Sequence, residues 1–305
     1  MKKLAIAAAA AASLTAGVAN AYTVGTFSNG FVVPNVIFDA SGTTAVGLVN
    51  QSGGTRAVYW TFFNQNSQHI TDGCFTLTDK QYSPFIWSAQ AGTGLSGTRG
   101  YLVFAAGATG TVAQTACGGA AQLATTGALI SGNAFQVDLA AKSVAFTPVI
   151  DGPLTLATST DLTTMGPDSL QYVDGAAQVT STTTGPQFSM RYAIDGATGG
   201  TDTRIVVWST GNQAKTHTVN IYNNAQARKS VNFTLTQTEL DFFDPETIVG
   251  RPADFLDGFI EWTPNLTAFY TGTATTGSSS VSVVTYSIIS APAFGAVQTI
   301  LGAHR

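Results

Sequence analysis

The chain has 305 residues and a formal net charge of −4, and charged residues make up only 10% of it, against about 25% in ordinary domains. Its Lys and Arg residues form no basic patch able to neutralise phosphates, which excludes a nucleic-acid partner. The length suits one large or two ordinary domains, and so little charge weakens the repulsion that keeps copies of a chain apart.

In chain order, Lys2 and Lys3 precede an uncharged Ala-rich run over 4–18, and Ala19-Asn20-Ala21 supplies an A-x-A cleavage site. This is a signal-peptide layout over 1–21. It predicts a secreted chain, extracellular or at the cell surface, with the periplasm as the other destination. No later stretch is apolar and long enough to span a bilayer as a helix. Cys74 and Cys117, an even pair in an exported chain, predict one disulfide.

Strand signals follow throughout. Runs at 45–49, 74–78, 101–105, 134–138, 205–208 and 281–289 are rich in Val, Thr, Phe and Tyr, residues that suit pleated, half-buried surfaces. Gly and Asn clusters separate them. Only 114–125 and 294–301 read as short helices, and the second reads equally well as a strand.

Four sequence blocks recur in order. Phe75-Thr76-Leu77-Thr78 returns as Phe233-Thr234-Leu235-Thr236, an offset of 158. The segment 58–64 aligns with 217–223 at 159, Gly100–Phe104 with Gly258–Trp262 at 158, and 36–39 with 193–195 at 156. Strand parity is kept between the copies, and a one-residue slip would turn every side chain to the other face. The expected fold is therefore all-β: two tandem β-sandwich domains, Ig-like or jelly-roll-like, related by an internal repeat. Repeat 1 takes 22–150, a linker with candidate strands takes 151–185, and repeat 2 takes 186–305.

Sites for chemistry are sparse. Gly92-Thr93-Gly94-Leu95-Ser96-Gly97 fits G-x-G-x-x-G but leads into a strand rather than a helix, so it reads as a turn. The three histidines form no metal-binding spacing, and no G-x-S-x-G elbow is present. Acidic residues gather in repeat 2: Glu239, Asp241, Asp244, Glu246, Asp254, Asp257 and Glu261. Asp241, Asp244 and Glu246 are the candidate Ca²⁺ ligands, and no cofactor other than Ca²⁺ is expected; paired carboxylates would also serve a hydrolase. A solvated loop accounts for the same stretch. Among the tryptophans, Trp60, Trp208 and Trp262 read as core; Trp87 is the candidate ligand platform, since a flat aromatic face stacks on sugars, with burial in the core as its leading alternative.

The order of blocks resembles secreted bacterial proteins of tandem β-sandwich type, a group without an assigned function. The resemblance implies the fold and carries no site residues. Export, tandem β units, low charge and the lack of a site lead to an expectation of a non-enzymatic surface-layer, filament or matrix subunit. Its partners would be itself or other surface components. A polysaccharide- or surface-binding module is the alternative, and a secreted hydrolase using the acidic cluster the third reading. Segments 22–33 and 291–301 are the candidate donor strands for self-association.

Overall fold

A computed structural model describes residues 22–108, 123–139, 142–156, 169–180, 186–195, 200–265 and 280–305. The signal segment, Cys117 and most of the 114–125 helix expectation lie outside these residues. No described helix is long and apolar enough to cross a membrane.

The first sandwich runs β1 (Gly30–Ile37), β2 (Gly42–Asn50), β3 (Arg56–Asn64), β4 (His69–Leu77), β5 (Tyr82–Ile86), a short helix α1 (Trp87–Ala91), β6 (Arg99–Ala106), β7 (Ile130–Asp138), β8 (Ser143–Thr147) and β9 (Ile150–Asp151). A hairpin of β10 (Leu154–Leu156) and β11 (Leu170–Val173) follows, then β12 (Ala177–Thr180). The second sandwich has β13 (Phe188–Ala193), β14 (Asp202–Ser209), β15 (Lys215–Asn223), β16 (Arg228–Leu235), β17 (Leu240–Phe243), β18 (Asp257–Trp262), β19 (Ser280–Ala291), β20 (Ala296–Leu301) and β21 (Ala303–His304).

Four sheets carry the fold. Sheet I is ordered β5-β2-β7-β8 and sheet II β4-β3-β6-β1-β9. Sheet III is β12-β19-β14-β17 with β20 also on β19, and sheet IV is β16-β15-β18-β13-β21. Apart from β12, sheet III repeats the order of sheet I and sheet IV that of sheet II. The pairings match in detail: Phe31 lies opposite Phe104 in the first sandwich and Phe188 opposite Trp262 in the second. In β1 the register shifts between Val33 and Val36, around Pro34, which has no N–H to give a ladder. The β13–β18 ladder has no such shift.

The sandwiches are not separate closed units. One apolar core, with Phe31, Val46, Phe62, Trp87 and Phe104, lies between sheets I and II. A second, with Met190, Ile205, Ile221 and Phe233, lies between sheets III and IV. A third joins Tyr59, Phe63, Tyr101 and Val103 of sheet II to Val206, Trp208, Leu240 and Tyr286 of sheet III. The layers therefore stack I–II–III–IV. This explains β3, where nearly every residue is buried: Trp60 and Phe62 face sheet I while Tyr59 and Phe63 face sheet III. In β15 of the outermost sheet, burial alternates with period two, as expected where one face meets water.

The expected linker contributes to this third core. Leu154, Leu170, Val173 and Ala176 line it, and β12 pairs with β19. The two candidate donor strands are used within the chain. Tyr22 packs against the second and third cores, and its hydroxyl accepts from the Thr285 N–H at 3.1 Å. Thr26 donates to Asp151 Oδ2 at 2.7 Å, and β1 lies inside sheet II. At the other end, 292–294 is a 3₁₀ turn and β20 pairs along β19. Neither segment is free to complete a neighbour's sheet.

Candidate functional site

The junction between the sandwiches holds the buried polar chemistry. The β3–β4 turn is set by Asn64, whose Oδ1 accepts from the N–H groups of Asn66 (2.9 Å) and Gln68 (3.0 Å), with Ser67 at φ 56°. This turn docks on the β16–β17 turn. Gln65 O accepts from the N–H groups of Glu239 and Leu240 at 3.2 and 3.1 Å, and Thr238 N–H donates to Asn66 Oδ1 at 3.0 Å. Beneath it, the Tyr101 hydroxyl donates to Glu239 Oε2 at 2.9 Å and lies 2.7 Å from Ser67 Oγ. Glu239 is 3% exposed, and its Oε1 has no hydrogen-bond partner among the described residues. Burial pushes its carboxyl up to about 8, against the lowering effect of the nearby Ser67 and Tyr101 hydroxyls.

The remaining acidic residues do not form one loop site. Asp241 is 8% exposed. Its Oδ2 accepts from Thr236 N–H (2.6 Å) and Gln237 N–H (3.0 Å), and its Oδ1 from Phe242 N–H (2.8 Å). These bonds lock a turn, and Asp241, expected from sequence as a Ca²⁺ ligand, is not among the residues whose ligand atoms come together. Asp244 and Glu246 do come together, but with Asp202 of β14: the three offer ligand atoms within 4.8 Å of one another. Burial raises the Asp244 carboxyl, with a smaller contribution from the charge of Asp202. Three carboxylates are the hard oxygen donors Ca²⁺ prefers, though fewer than its usual six to eight ligands. Asp202 was not legible as a partner because only sheet pairing brings it there. Asp257 forms an ion pair with Arg191, and Glu261 accepts from the Tyr222 hydroxyl at 2.9 Å.

Trp87 is fully buried, its ring 4.4 Å from Phe62 and 6.4 Å from Phe85 between centroids. It opens α1, a helix not anticipated from sequence, which folds it into the first core. It is not a ligand platform. Gly92–Gly97 forms turns, with Gly92 and Gly97 at φ 67° and 85°. Cys74 lies in β4 against the third core; its expected disulfide partner is outside the described residues.

A cleft of about 460 Å³ opens between the sandwiches below the end of β1, lined among others by Asn35, Arg99, Asp138, Asp202, Arg204 and Ser290. Arg99 and Arg204 come from different sandwiches, and their guanidinium carbons lie 4.0 and 4.9 Å from the Phe242 ring centre. Burial lowers the Arg99 pKa, and the charge of Arg204 lowers it further.

The two ends of the stack differ. The outer face of sheet I carries Thr43, Ala45, Val49, Tyr82, Pro84, Ile86, Phe135, Val137, Val144 and Phe146, paired across the strands in register. None is charged, and Tyr82, Val144, Phe135 and Phe146 are exposed at 59, 57, 39 and 39%. The outer face of sheet IV is polar: Thr216 bonds Thr234 (2.9 Å), Thr218 bonds Asn232 (2.8 Å), and Tyr222 stacks on Phe259 at 4.7 Å. No family model, curated protein or solved structure matches the chain.

Proposed function

We propose that this is a non-enzymatic, exported structural protein whose copies associate into a cell-surface or extracellular assembly such as a layer, filament or matrix. The observation that carries the reading is the uncharged outer face of sheet I. Isolated apolar residues on a surface are ordinary, but here they cluster on one sheet face, interrupted only by the uncharged Thr43, Ser131 and Asn133, and contiguous patches of this kind mark association sites. The pairwise register keeps Phe135 beside Phe146 and Ala45 beside Ile86, so the patch is pre-formed. The internal repeat, the signal segment and the Cys74–Cys117 disulfide belong to the same reading. They suit a chain built by duplication and made rugged for life outside the cell. The occupant is a second copy, because the corresponding face of the second sandwich, on sheet III, is covered by a sheet of this same chain.

The test is sedimentation velocity and negative-stain microscopy of the secreted chain over a wide concentration range. Size should grow with concentration and ordered assemblies should appear. A monomer at every concentration would refute the proposal.

A second reading, a module that binds acidic surface polysaccharide, is favoured by the cleft. It sets two arginines without an ion-pair partner among the described residues beside carboxylate and hydroxyl groups suited to sugar hydroxyls.

A further inference from the structure

We propose that copies associate head to tail, with sheet I of one seating on sheet IV of the next as sheet III seats on sheet II within the chain. The inference rests on the self-association reading and specifies its geometry.

Strand register defines which residues correspond. Val49 pairs with Tyr82 in sheet I, and Trp208 pairs with Leu240 in sheet III. Asn50 N–H bonds Gln81 O just as Ser209 N–H bonds Glu239 O. The apolar outer face of sheet I therefore occupies the place of the sheet III face that is buried in the third core. On the receiving side, the stacked pair Phe63–Tyr101, 5.0 Å apart at 15°, takes the edge of Trp208 at 5.7 Å from Tyr101. Sheet IV has a stacked pair, Tyr222–Phe259, 4.7 Å apart at 9°, at the corresponding positions.

The docking turn is duplicated as well. Asn223 Oδ1 accepts from the N–H groups of Ala225 (3.0 Å) and Ala227 (2.9 Å), and Gln226 has φ 66°. This is the geometry of Asn64, Asn66, Gln68 and Ser67 in the turn that grips the second sandwich. In the second sandwich the turn, residues 224–227, is exposed. Each end of the molecule thus presents one half of an interface whose other half it fills internally.

The two faces are different surfaces, so the contact is heterologous, and repetition gives an open filament or a closed ring. Its strength follows from chemistry and size. Sheet IV has Thr216, Thr218, Asn220 and Glu261 where sheet II has Ala57, Tyr59, Thr61 and Val103, and the Arg191–Asp257 ion pair lies on the same face. The contact between copies is consequently wetter than the internal one. The four strands of sheet I, spaced about 4.8 Å and about six residues long, cover roughly 400 Å² per partner. Both partners together then bury about 800 Å², below the roughly 1,000 Å² of a stable specific contact, so each contact is weak and assembly should be reversible and concentration-dependent.

The test uses full-length secreted chains blocked at one end. Tyr82→Glu with Val49→Glu blocks sheet I, and Thr218→Glu with Asn220→Glu blocks sheet IV. Each is checked for an unchanged circular dichroism spectrum; Val49→Lys alone serves as a second sheet I block. At a concentration where the parent assembles, each blocked chain alone should stay monomeric. An equimolar mixture should give a 1:1 dimer and stop there, because only one competent face of each kind remains. A sheet IV-blocked chain that still dimerises alone would show sheet I pairing with itself. That result would overturn the head-to-tail geometry while leaving self-association standing. A parent chain that stays monomeric would overturn both.

Discussion

Replacing Glu239 by Gln tests the junction between the sandwiches. Glu239 is buried beneath the docking turn, with one oxygen bonded by Tyr101 and the other without a partner among the described residues. Its folded pKa of about 8 lies above the unfolded value of about 4.3. The folded chain therefore holds this proton longer than the unfolded chain. The associated stability is fully present below the unfolded value and is lost as pH rises through about 8. Each pKa unit corresponds to about 1.4 kcal/mol, so the full gap sets an upper bound near 5 kcal/mol. Water entering the opened turn would reduce this to about 2–3 kcal/mol. Gln keeps the shape and accepts from Tyr101, but has no charge to bury. Its amide N–H₂ meets no acceptor at the unpartnered position, a cost that does not vary with pH. In thermal melts between pH 4 and pH 9, the parent should lose about 5 °C or more relative to Glu239→Gln. Parallel melting profiles across that range would refute the reasoning, because they would mean that Glu239 is not desolvated by the junction.

Two further substitutions probe neighbouring parts of the stack. Trp208→Ala removes a fully buried indole from the third core and should cost about 3–5 kcal/mol. Calorimetry should then resolve two transitions where the parent shows one, since the cavity lies between the sandwiches and not within either. Asp244→Asn keeps the cap on the Glu246 N–H, now 2.7 Å from Asp244 Oδ1, but removes one of three crowded carboxylates. The raised folded pKa of Asp244 means that its charge costs stability once pH exceeds that value. In metal-free buffer at pH 7 the variant should melt slightly higher than the parent, and the gain should vanish near pH 3, where the carboxyl is protonated in both states. Added Ca²⁺ should protect the parent more than the variant.

Much of the fold was legible in local pattern. Period-two alternation in 217–223 marked a strand with one wet face, and β15 is that strand. The blocks around Phe75 and Phe233 fall on β4 and β16, which hold the same edge position in sheets II and IV. Trp87 was misleading because Pro84 and Phe85 beside it suggested an exposed edge. Instead the chain turns into α1 one residue after Ile86 and carries the indole inward. The acidic cluster misled for a related reason. Proximity in sequence placed Asp241 with Asp244, but successive strand residues point to opposite faces, and Asp202 reaches Asp244 only across the sheet.

By itself the sequence determined which residues form strands, which face of each is apolar, and the order in which the strands recur, because these depend on local alternation and turn chemistry. It even contained a signal for the third core: in 58–63 both parities are apolar, as a strand buried on two faces requires. Only the tertiary structure decided what covers that second face. The stacking of sheet II on sheet III, the burial of Glu239 and the exposure of sheet I all depend on contacts between residues more than a hundred positions apart. No local pattern encodes which of several apolar faces will meet, since hydrophobic burial has no direction of its own. The choice is made by shape and by the few polar groups, Gln65, Asn66 and Glu239 among them, that find partners in only one arrangement.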